Sequence, residues 1–432
     1  MVSNHYEWAI GGKLPTLEHH SRAKHEILGA YLSAYVQTLV SVPHRDEFKL
    51  TLVDGFSGGG LFTLAGSSQE MPGSPLIMLD AMKEAQALVN QDRAKPIHFN
   101  VDYFFIDKHP GATAFLEHTL KDRGYGAQLN GNVIVWNADF NDKAESIIQH
   151  VNTRMPRMGR AIFLLDQYGY SEVPTDMIHK IMRTIPGSEV ILTFNVSSLL
   201  TYISDKNDRA QKLLTGAGVP EALRGRKIED IKMHEADWRL FIQSCLYPEL
   251  VDKCGAEFYT LFFIRSEQGH GDYWFIHLSR HARARDVMTK IHWDKGNFFI
   301  HYGGAGLNMF EGLGYSPSLD TRNSNQGQLG FGFGDTERRL SVDTLMEQIP
   351  SLVYSAPDEC VVFNEMFATH CNMSPAHAEL HKEAVSKLRD LGEVEVVSAS
   401  TGKVTSARIQ GGDVIRAPAQ RVLSFPRDLG KK

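Results

Sequence analysis

Four acidic side chains stand at comparable places in the sequence, each at or just after the end of a short run that predicts a β-strand. They are Asp54, Asp107, Asp139 and Asp166. Helical patterns alternate with these strands, which favours a parallel sheet whose strands all end at one edge. Doubly wound folds bind nucleotides at that edge. The four positions therefore predict a single site for a nucleotide-like ligand.

The segment DGFSGGG after the first of these strands is the strongest feature. Glycines let a backbone turn sharply and approach a ligand without a Cβ clash. The segment resembles the D-x-F-x-G-x-G loop of class I methyltransferases, which wraps the methionine part of S-adenosylmethionine. The resemblance assigns cofactor contacts to Asp54, Phe56, Ser57, Gly58 and Gly59. The alternative is an ordinary glycine-rich turn between a strand and a helix.

Two more strand ends suit the rest of that cofactor. Asp107, followed by Lys108, can accept two hydrogen bonds from a ribose diol. In methyltransferases an acidic residue at the position of Asp139 faces the adenine amine, and a neighbour such as Phe140 lies against the ring. The alternatives are a solvated carboxylate for Asp107 and a helix cap for Asp139.

The segment DQYGY ends the fourth strand, where amino-methyltransferases of DNA and RNA carry N/D-P-P-Y/F/W. There the first side chain accepts hydrogen bonds from the target amine, and the aromatic ring stacks on the extruded base. We therefore predict that Asp166, Gln167, Tyr168 and Tyr170 face the acceptor. Gln167 stands where proline is expected and Gly169 where the aromatic is expected. The alternative is a strand-end aspartate beside two core tyrosines.

The periodicity of apolar residues places these motifs on an α/β fold, a Rossmann-like class I methyltransferase sheet with helices on both faces. The predicted parallel strands are Leu50–Val53, Val101–Ile106, Asn132–Trp136, Ala161–Leu165 and Glu189–Phe194. The predicted helices are His20–Val42, Ser74–Val89, Gly111–Arg123, Phe140–Thr153 and Thr175–Thr184. Phe258–Arg265 and Tyr273–Ser279 predict an antiparallel hairpin at the sheet edge.

Composition bounds the class of protein. The chain has 432 residues with 42% hydrophobic and 22% charged, typical of a globular protein of two or three domains. No apolar run approaches the ~20 residues of a membrane span, and no signal peptide is evident. The four cysteines lack CxxC spacing, so we expect a cytoplasmic protein with reduced thiols and no metal site. No cysteine precedes Cys245, which excludes the nucleophile needed to form 5-methylcytosine.

The C-terminal part predicts a winged helix-turn-helix after a Gly- and Asn-rich connection at Phe298–Gly334. Its predicted helices are Leu340–Ile349, Val361–Thr369 and Pro375–Leu391, and its predicted wing strands are Glu393–Val397 and Lys403–Ile409. In such modules the second helix of the motif enters the major groove and the wing touches the backbone.

The charges of this module do not indicate whether it binds nucleic acid or a protein. The predicted recognition helix carries His377, His381, Lys382, Lys387 and Arg389, but also three acidic residues. The net charge of the chain is -6, yet the segment from residue 401 to 432 is basic. A local basic patch can contact phosphate. The alternatives are a solvated tail and a module that docks a protein.

The motifs together resemble the three-Cys-motif partner protein (TcmP) family. The resembling segments are AKHEILGAYLSAY, LVDGFSGGG, GSPL, FFIDKHP, NADF, FLLDQYGY and LSRHARARDVMTKIHWD, between Tyr6 and Asp294. The resemblance implies a class I methyltransferase fold and a partner protein with three cysteines that is radical-SAM-like. A winged-helix-like C-terminal domain is common in relatives. The family tends to have Asp-Pro-aromatic-Gly where this chain has Asp-Gln-Tyr-Gly.

Two basic stretches lie outside these motifs. Lys24, early on the first helix, suits the methionine carboxylate of the cofactor as well as a solvated helix face. The stretch from His277 to His292 contains His281, Arg280, Arg283 and Arg285. A phosphate-binding role is open for it, but we favour an exposed helix face.

These observations predict an S-adenosylmethionine-dependent methyltransferase that modifies a nitrogen of a nucleic-acid base. The predicted domains are residues 1–297, the connection 298–338 and the winged-helix-like domain 339–432. The alternative is a non-catalytic protein with the same fold that binds a radical-SAM-like partner or nucleic acid. A third possibility is methyl transfer to a small molecule or protein. The oligomeric state is not indicated.

Overall fold

The structure is a computed structural model that describes residues 6–40, 46–91, 93–167, 169–234, 238–264, 273–296, 299–302, 304–307, 309, 330–331 and 333–418. The chain divides into two compact units. The first comprises Met1–His301 and Leu313–Phe333, and the second comprises Tyr302–Gly312 and Gly334–Lys432. No helix among the described residues is long and apolar enough to cross a membrane.

Strands of the first unit form two sheets in the described parts of the chain. The strands are β1 (Thr16–Leu17), β2 (Glu47–Asp54), β3 (Leu61–Leu64), β4 (Glu70–Pro72), β5 (His98–Asp107), β6 (Val133–Asn137), β7 (Arg160–Leu165), β8 (Gly187–Asn195), β9 (Phe258–Ile264), β10 (Tyr273–Ser279), β11 (Phe299–Tyr302) and β12 (Gly330–Phe331). The main sheet has the order β12-β11-β9-β10-β8-β7-β2-β5-β6, and β1-β3-β4 form a small second sheet.

The order of the main sheet defines its fold. β2 pairs in parallel with both β5 and β7, so successive connections run outward in opposite directions from this point. β10 inserts antiparallel between β8 and β9. In the class I methyltransferase arrangement, the order of the parallel strands reverses at the first strand, and one antiparallel strand is inserted beside the last central parallel strand. The predicted fold class is confirmed.

The helices of the first unit cover the two faces of this sheet. They are α1 (His19–Val40), α2 (Ser74–Gln91), α3 (Pro110–Asp122), α4 (Phe140–Arg154), α5 (Thr175–Thr184), α6 (Val196–Tyr202), α7 (Asn207–Gly216), α8 (Ile228–His234), α9 (Trp238–Cys254) and α10 (Ala282–Lys295). α1 packs between α2 and α10, whereas α5 packs between α4 and α9. Right-handed crossovers that run in opposite directions place helices on opposite faces.

Two predictions for this unit need correction. The β9–β10 pair does not lie at the sheet edge, because β11 pairs with the outer side of β9. His277 and His292 do not lie on an exposed helix face. His277 is on β10 and is fully buried, and His292 and Arg285 are buried on α10. Most of the predicted connection at 298–334 falls outside the described residues.

The second unit is a winged helix-turn-helix. Its elements are α11 (Asp335–Ser355), β13 (Cys360–Val362), α12 (Phe363–His370), α13 (Ala378–Asp390), β14 (Glu395–Val397) and β15 (Val414–Arg416). β15 pairs antiparallel with both β13 and β14. Apolar side chains of α11, α12 and α13 form its core, including Leu345, Phe363 and Leu388.

Predictions at the edges of this unit are wrong in detail. Residues 360–362 are a strand rather than the start of the helix predicted at Val361–Thr369. Lys403–Ile409 is not a wing strand, because only Val404 forms an isolated bridge there. The partner of β14 is β15 instead. Asp413 stabilises the loop between β14 and β15, because its carboxylate accepts hydrogen bonds from the backbone N–H groups of Ala399 and Gln410.

Candidate functional site

A cavity opens at the carboxyl ends of the central parallel strands, inside the first unit. Nine predicted site residues line it: Phe56, Ser57, Gly58, Asp107, Lys108, Asp139, Phe140, Asp166 and Gln167. Asp54, Gly59 and Tyr170 are not among its lining residues, and Tyr168 lies outside the described residues. The cavity lies where α/β sheets bind nucleotides, beside the point at which the strand order reverses.

Backbone hydrogen bonds to the neighbouring strands β7 and β5 fix the glycine-rich loop. The N–H of Gly55 donates to the carbonyl of Leu164 and the N–H of Ser57 donates to that of Ile106, both at 2.9 Å. Gly58 has a φ of 55°, a left-handed conformation that favours glycine. The loop thus passes across the ends of three neighbouring strands with its backbone against the cavity.

Asp54 lies fully buried beneath this loop. One carboxylate oxygen accepts the N–H of Phe56 at 3.1 Å. The Ser74 side chain also hydrogen-bonds the Asp54 carboxyl, whereas the buried Oγ of Ser57 has no hydrogen-bond partner among the described residues. Burial raises the pKa of Asp54 to about 7. Buried polar atoms without a partner are costly, so they mark where a polar ligand group would be stabilised.

Asp107 joins the glycine loop to the next strand. Its Oδ2 accepts the N–H of Gly58 at 2.9 Å, and its Oδ1 accepts the N–H of His109 at 2.8 Å. Each carboxylate oxygen has a second lone pair, so both remain able to accept from a ligand. The exposed Lys108 beside it pairs with Glu172 at 3.5 Å. The backbone therefore fixes the direction of the Asp107 carboxylate.

Asp139 and Phe140 occupy the third strand end. Asp139 caps α4, because its Oδ1 accepts the N–H of Asn141 at 2.8 Å. The capping alternative is thus present, and the exposed Asp139 also lines the cavity. Phe140 is buried and packs edge-on against Phe163. A Cβ at Gly55 would lie 3.0 Å from the Phe140 ring.

Asp166 makes an ion pair that the sequence did not indicate. Lys24 Nζ, from α1, contacts both carboxylate oxygens, at 2.5 and 2.6 Å. Burial favours the neutral carboxyl, but attraction to Lys24 outweighs it and lowers the pKa of Asp166 below its usual value. Lys24 also acts with burial to lower the pKa of His25, to about 4. Lys24 is therefore a site residue rather than part of a solvated helix face.

Gln167 and Tyr170, the two other described side chains of the DQYGY segment, make contacts within the protein. Gln167 is buried, and its Oε1 accepts the N–H groups of Glu172 and Val173 at 3.0 and 3.1 Å. It braces the loop that follows the strand. Tyr170 packs against Phe194 with ring centroids 6.4 Å apart. Gln167 thus lines the cavity while bracing this loop, and Tyr170 is not among the lining residues. Their contact with an acceptor stays a prediction.

An aromatic cluster near the N-terminus closes one side of the cavity. Tyr6, Trp8 and Phe62 lie with ring centroids 5.3 to 5.8 Å apart. Trp8 Nε1 donates to the carbonyl of Leu61 at 2.7 Å. These side chains leave a cavity of 180 Å³. Sequence reasoning missed them, because neither periodicity nor a motif marks an irregular segment.

Gly59→Ala tests the packing of the Trp8 side chain against the glycine loop. A Cβ there would lie 2.3 Å from Trp8 Cγ, and Gly59 itself has no left-handed φ. We expect the substitution to cost about 1–3 kcal/mol through overpacking alone. Thermal unfolding of Gly59→Ala, Trp8→Ala and the double variant measures the coupling. The cost of Gly59→Ala should shrink in the Trp8→Ala background; an equal cost in both backgrounds would contradict the contact.

The surface of the winged helix carries paired charges. Lys382 and Arg408 both contact Glu379 at 2.9 Å, and Arg416 contacts Glu395 at 2.8 Å. His377 and His381 are buried, so they cannot reach a base edge as a recognition helix would require. Residues 419–432 of the predicted basic tail lie outside the described residues.

The chain is similar to one family model and to several solved structures. The family model described as the GMT-like wHTH domain matches residues 314–401. Among solved structures, protein LPL1258 of Legionella pneumophila is 9% identical with a TM-score of 0.36, covering 63% of this chain and 92% of that one. Trm1 of Pyrococcus horikoshii in complex with S-adenosylmethionine is 10% identical with a TM-score of 0.28, covering 74% and 71%. No curated protein matches the chain. The fold assignment rests on the strand order.

Proposed function

We propose that this protein is an S-adenosylmethionine-dependent methyltransferase acting on a nitrogen of a nucleic-acid base. The observation that carries the proposal is the convergence of Ser57, Asp107, Asp139 and Asp166 on one cavity at the switch point of the sheet. The buried Oγ of Ser57, which lines the cavity and has no hydrogen-bond partner among the described residues, supports a polar ligand at this place.

In this proposal, residues at different strand ends bind different parts of the cofactor. The glycine loop with Ser57 holds the methionine part, with Asp54 beneath it. Asp107 accepts the ribose hydroxyls, because backbone N–H groups already fix its carboxylate. Asp139 accepts the adenine amine beside the Phe140 ring. When bound, S-adenosylmethionine supplies an electrophilic methyl group on a sulfonium.

Asp166 is the acceptor-facing residue of the proposal. Its lowered pKa keeps it ionised at neutral pH, so it can accept a hydrogen bond from a target amine and aim the nitrogen lone pair. Lys24 holds the carboxylate in place until an amine competes for it. Gln167 braces the loop beyond it. Tyr168 stays a predicted stacking residue.

The nucleic-acid part of the proposal draws on the second unit. Winged helices of this kind commonly bind DNA or RNA through the helix-turn-helix. The described surface is not strongly basic, since Glu379 and Glu395 neutralise nearby arginines. The basic residues nearer the C-terminus would supply phosphate contacts.

A second candidate is a non-catalytic binding protein of the TcmP type, docked to a radical-SAM-like partner. The Lys24–Asp166 ion pair favours it, because it occupies the carboxylate that a target amine would need. The replacement of the expected proline by Gln167 points the same way.

Transfer of a labelled methyl group separates the two candidates. We expect the wild-type protein with labelled S-adenosylmethionine to label either total RNA or fragmented genomic DNA, and Asp166→Ala to abolish the label. Arg209→Gln, an exposed substitution on α7, is the control for handling. Cofactor binding without transfer to either nucleic acid would instead support the binding protein.

The buried Asp54 predicts a pH-dependent stability. Its folded pKa of about 7 exceeds the usual value for an aspartate, so its stability contribution is full below the unfolded pKa and is lost as pH rises through about 7. Asp54→Asn removes this titration. Without ligand, we expect the Tm of Asp54→Asn relative to wild type to rise between pH 5 and pH 8. A constant Tm difference in thermal scans would contradict the assignment.

A further inference from the structure

We propose that a second cavity in the first unit binds a small organic anion with an apolar body. This cavity lies at the amino ends of β7 and β8, beside Arg160 and Gly187, whereas the candidate cofactor cavity lies at the carboxyl ends of the central strands. Its volume of 550 Å³ falls within the ~300–1,000 Å³ of small-molecule sites. The inference does not depend on the proposed methyl transfer.

Arginines give this cavity its charge preference. Arg157, Arg160, Arg280 and Arg283 line it, against two lining carboxylates. Arg160 is half-buried and the other three are exposed. A guanidinium offers five N–H donors in a planar fork that matches carboxylate or phosphate. Arg280 uses one donor on the Met182 carbonyl at 3.5 Å, which leaves most of its donors for a ligand.

The Glu189 carboxylate, on the floor of this cavity, already has hydrogen-bond partners inside the protein. Glu189 is 5% exposed. Its Oε2 accepts a hydrogen bond from the Tyr31 hydroxyl and lies 2.9 Å from His277 Nε2. The Glu189 charge is thereby stabilised from the protein side. The second lining carboxylate, Glu257, is exposed. Arg283 is already paired with Asp286 at 2.8 Å, so the excess of positive charge in the lining rests on Arg157, Arg160 and Arg280 against Glu189 and Glu257.

Apolar side chains supply a surface for the body of the ligand. Tyr35, Leu39, Val287, Met158 and Pro186 line the same cavity, contributed by α1, α10 and the segments before β7 and β8. An inorganic anion would leave this surface unused, and a neutral hydrocarbon would leave the guanidinium groups unused. A carboxylate or phosphate on an aromatic or aliphatic body satisfies both.

Isothermal titration of the full chain tests the site with four probes: 1-naphthyl phosphate, 1-naphthoate, inorganic phosphate and 1-naphthol. We expect 1-naphthyl phosphate or 1-naphthoate to bind at least about tenfold more tightly than phosphate and 1-naphthol, because only they use both parts of the lining. The difference between the first two identifies the preferred anionic group.

Substitutions locate the binding. Arg160→Gln and Arg280→Gln should each weaken it about tenfold, the loss of one charged hydrogen bond. Val287→Trp should abolish it by filling the cavity without changing charge. Arg209→Gln and Asp107→Ala should leave it unchanged, the latter because it alters only the other cavity.

Three results would overturn the proposal. They are no binding of either organic anion at millimolar concentration, unchanged affinity in both arginine variants that keep the wild-type Tm, and equal affinity for inorganic phosphate. A changed affinity in an Asp107→Ala variant that keeps the wild-type Tm would also overturn it, because the probe would then occupy the first cavity.

Discussion

Asp107→Ala is expected to weaken S-adenosylmethionine binding about a hundredfold or more. Two charge-assisted hydrogen bonds to the ribose hydroxyls would be lost, each contributing roughly 1.5–3 kcal/mol. At about 1.4 kcal/mol per tenfold change, two bonds at the lower limit correspond to about two orders of magnitude in Kd. Titration calorimetry of wild type and variant measures the difference.

Two matched variants make this result specific. Asp107 also receives the N–H groups of Gly58 and His109, so its removal could loosen the glycine loop. Asp107→Asn keeps one acceptor oxygen and should fall between wild type and alanine. Asp142→Ala removes an exposed carboxylate from the first turn of α4 and should change nothing. Equal affinity of Asp107→Ala and wild type would contradict the ribose role.

Asp166→Ala is expected to reduce methyl transfer by roughly two to three orders of magnitude while cofactor affinity stays within about threefold. Alanine has no oxygen that can accept a hydrogen bond from the target amine, so the substitution removes both positioning and electrostatic stabilisation. The measurement is single-turnover transfer to the labelled nucleic acid, beside a cofactor titration on the same preparation.

Lys24 complicates the Asp166 substitution and also provides its control. Lys24 Nζ touches both Asp166 oxygens and is largely buried, so Asp166→Ala leaves its charge poorly compensated. Breaking such a pair is destabilising, by up to about 3–5 kcal/mol for a fully buried one. The double variant Lys24→Met, Asp166→Ala should recover the Tm lost in Asp166→Ala but not the transfer. Recovery of transfer in the double variant would show that Asp166 acts only by pairing with Lys24.

The parts of the site predicted from sequence are those fixed by local structure. A strand that ends in an acidic residue places that residue at the sheet edge whatever else the chain does, so Asp107, Asp139 and Asp166 line one cavity as expected. The glycine loop belongs to the same class, because its backbone conformation follows from its own residues.

The parts that sequence could not provide depend on distant contacts. Lys24 and Asp166 are 142 residues apart, and nothing in either segment indicates their partner. Trp8 reaches Gly59 from an irregular segment. The basic stretch from His277 to His292 predicts one exposed helix face, whereas the chain changes there from a buried strand to α10.

Titration of the wild-type chain with S-adenosylmethionine tests the central claim most directly. We predict saturable binding with one cofactor per chain, together with a change in tryptophan fluorescence. The cavity of 180 Å³ is smaller than typical small-molecule sites, so we expect the segment that carries Trp8 to shift as the ligand enters. The fluorescence change should be reduced in Trp8→Ala. Absence of binding at millimolar cofactor, with the protein folded, would contradict the account.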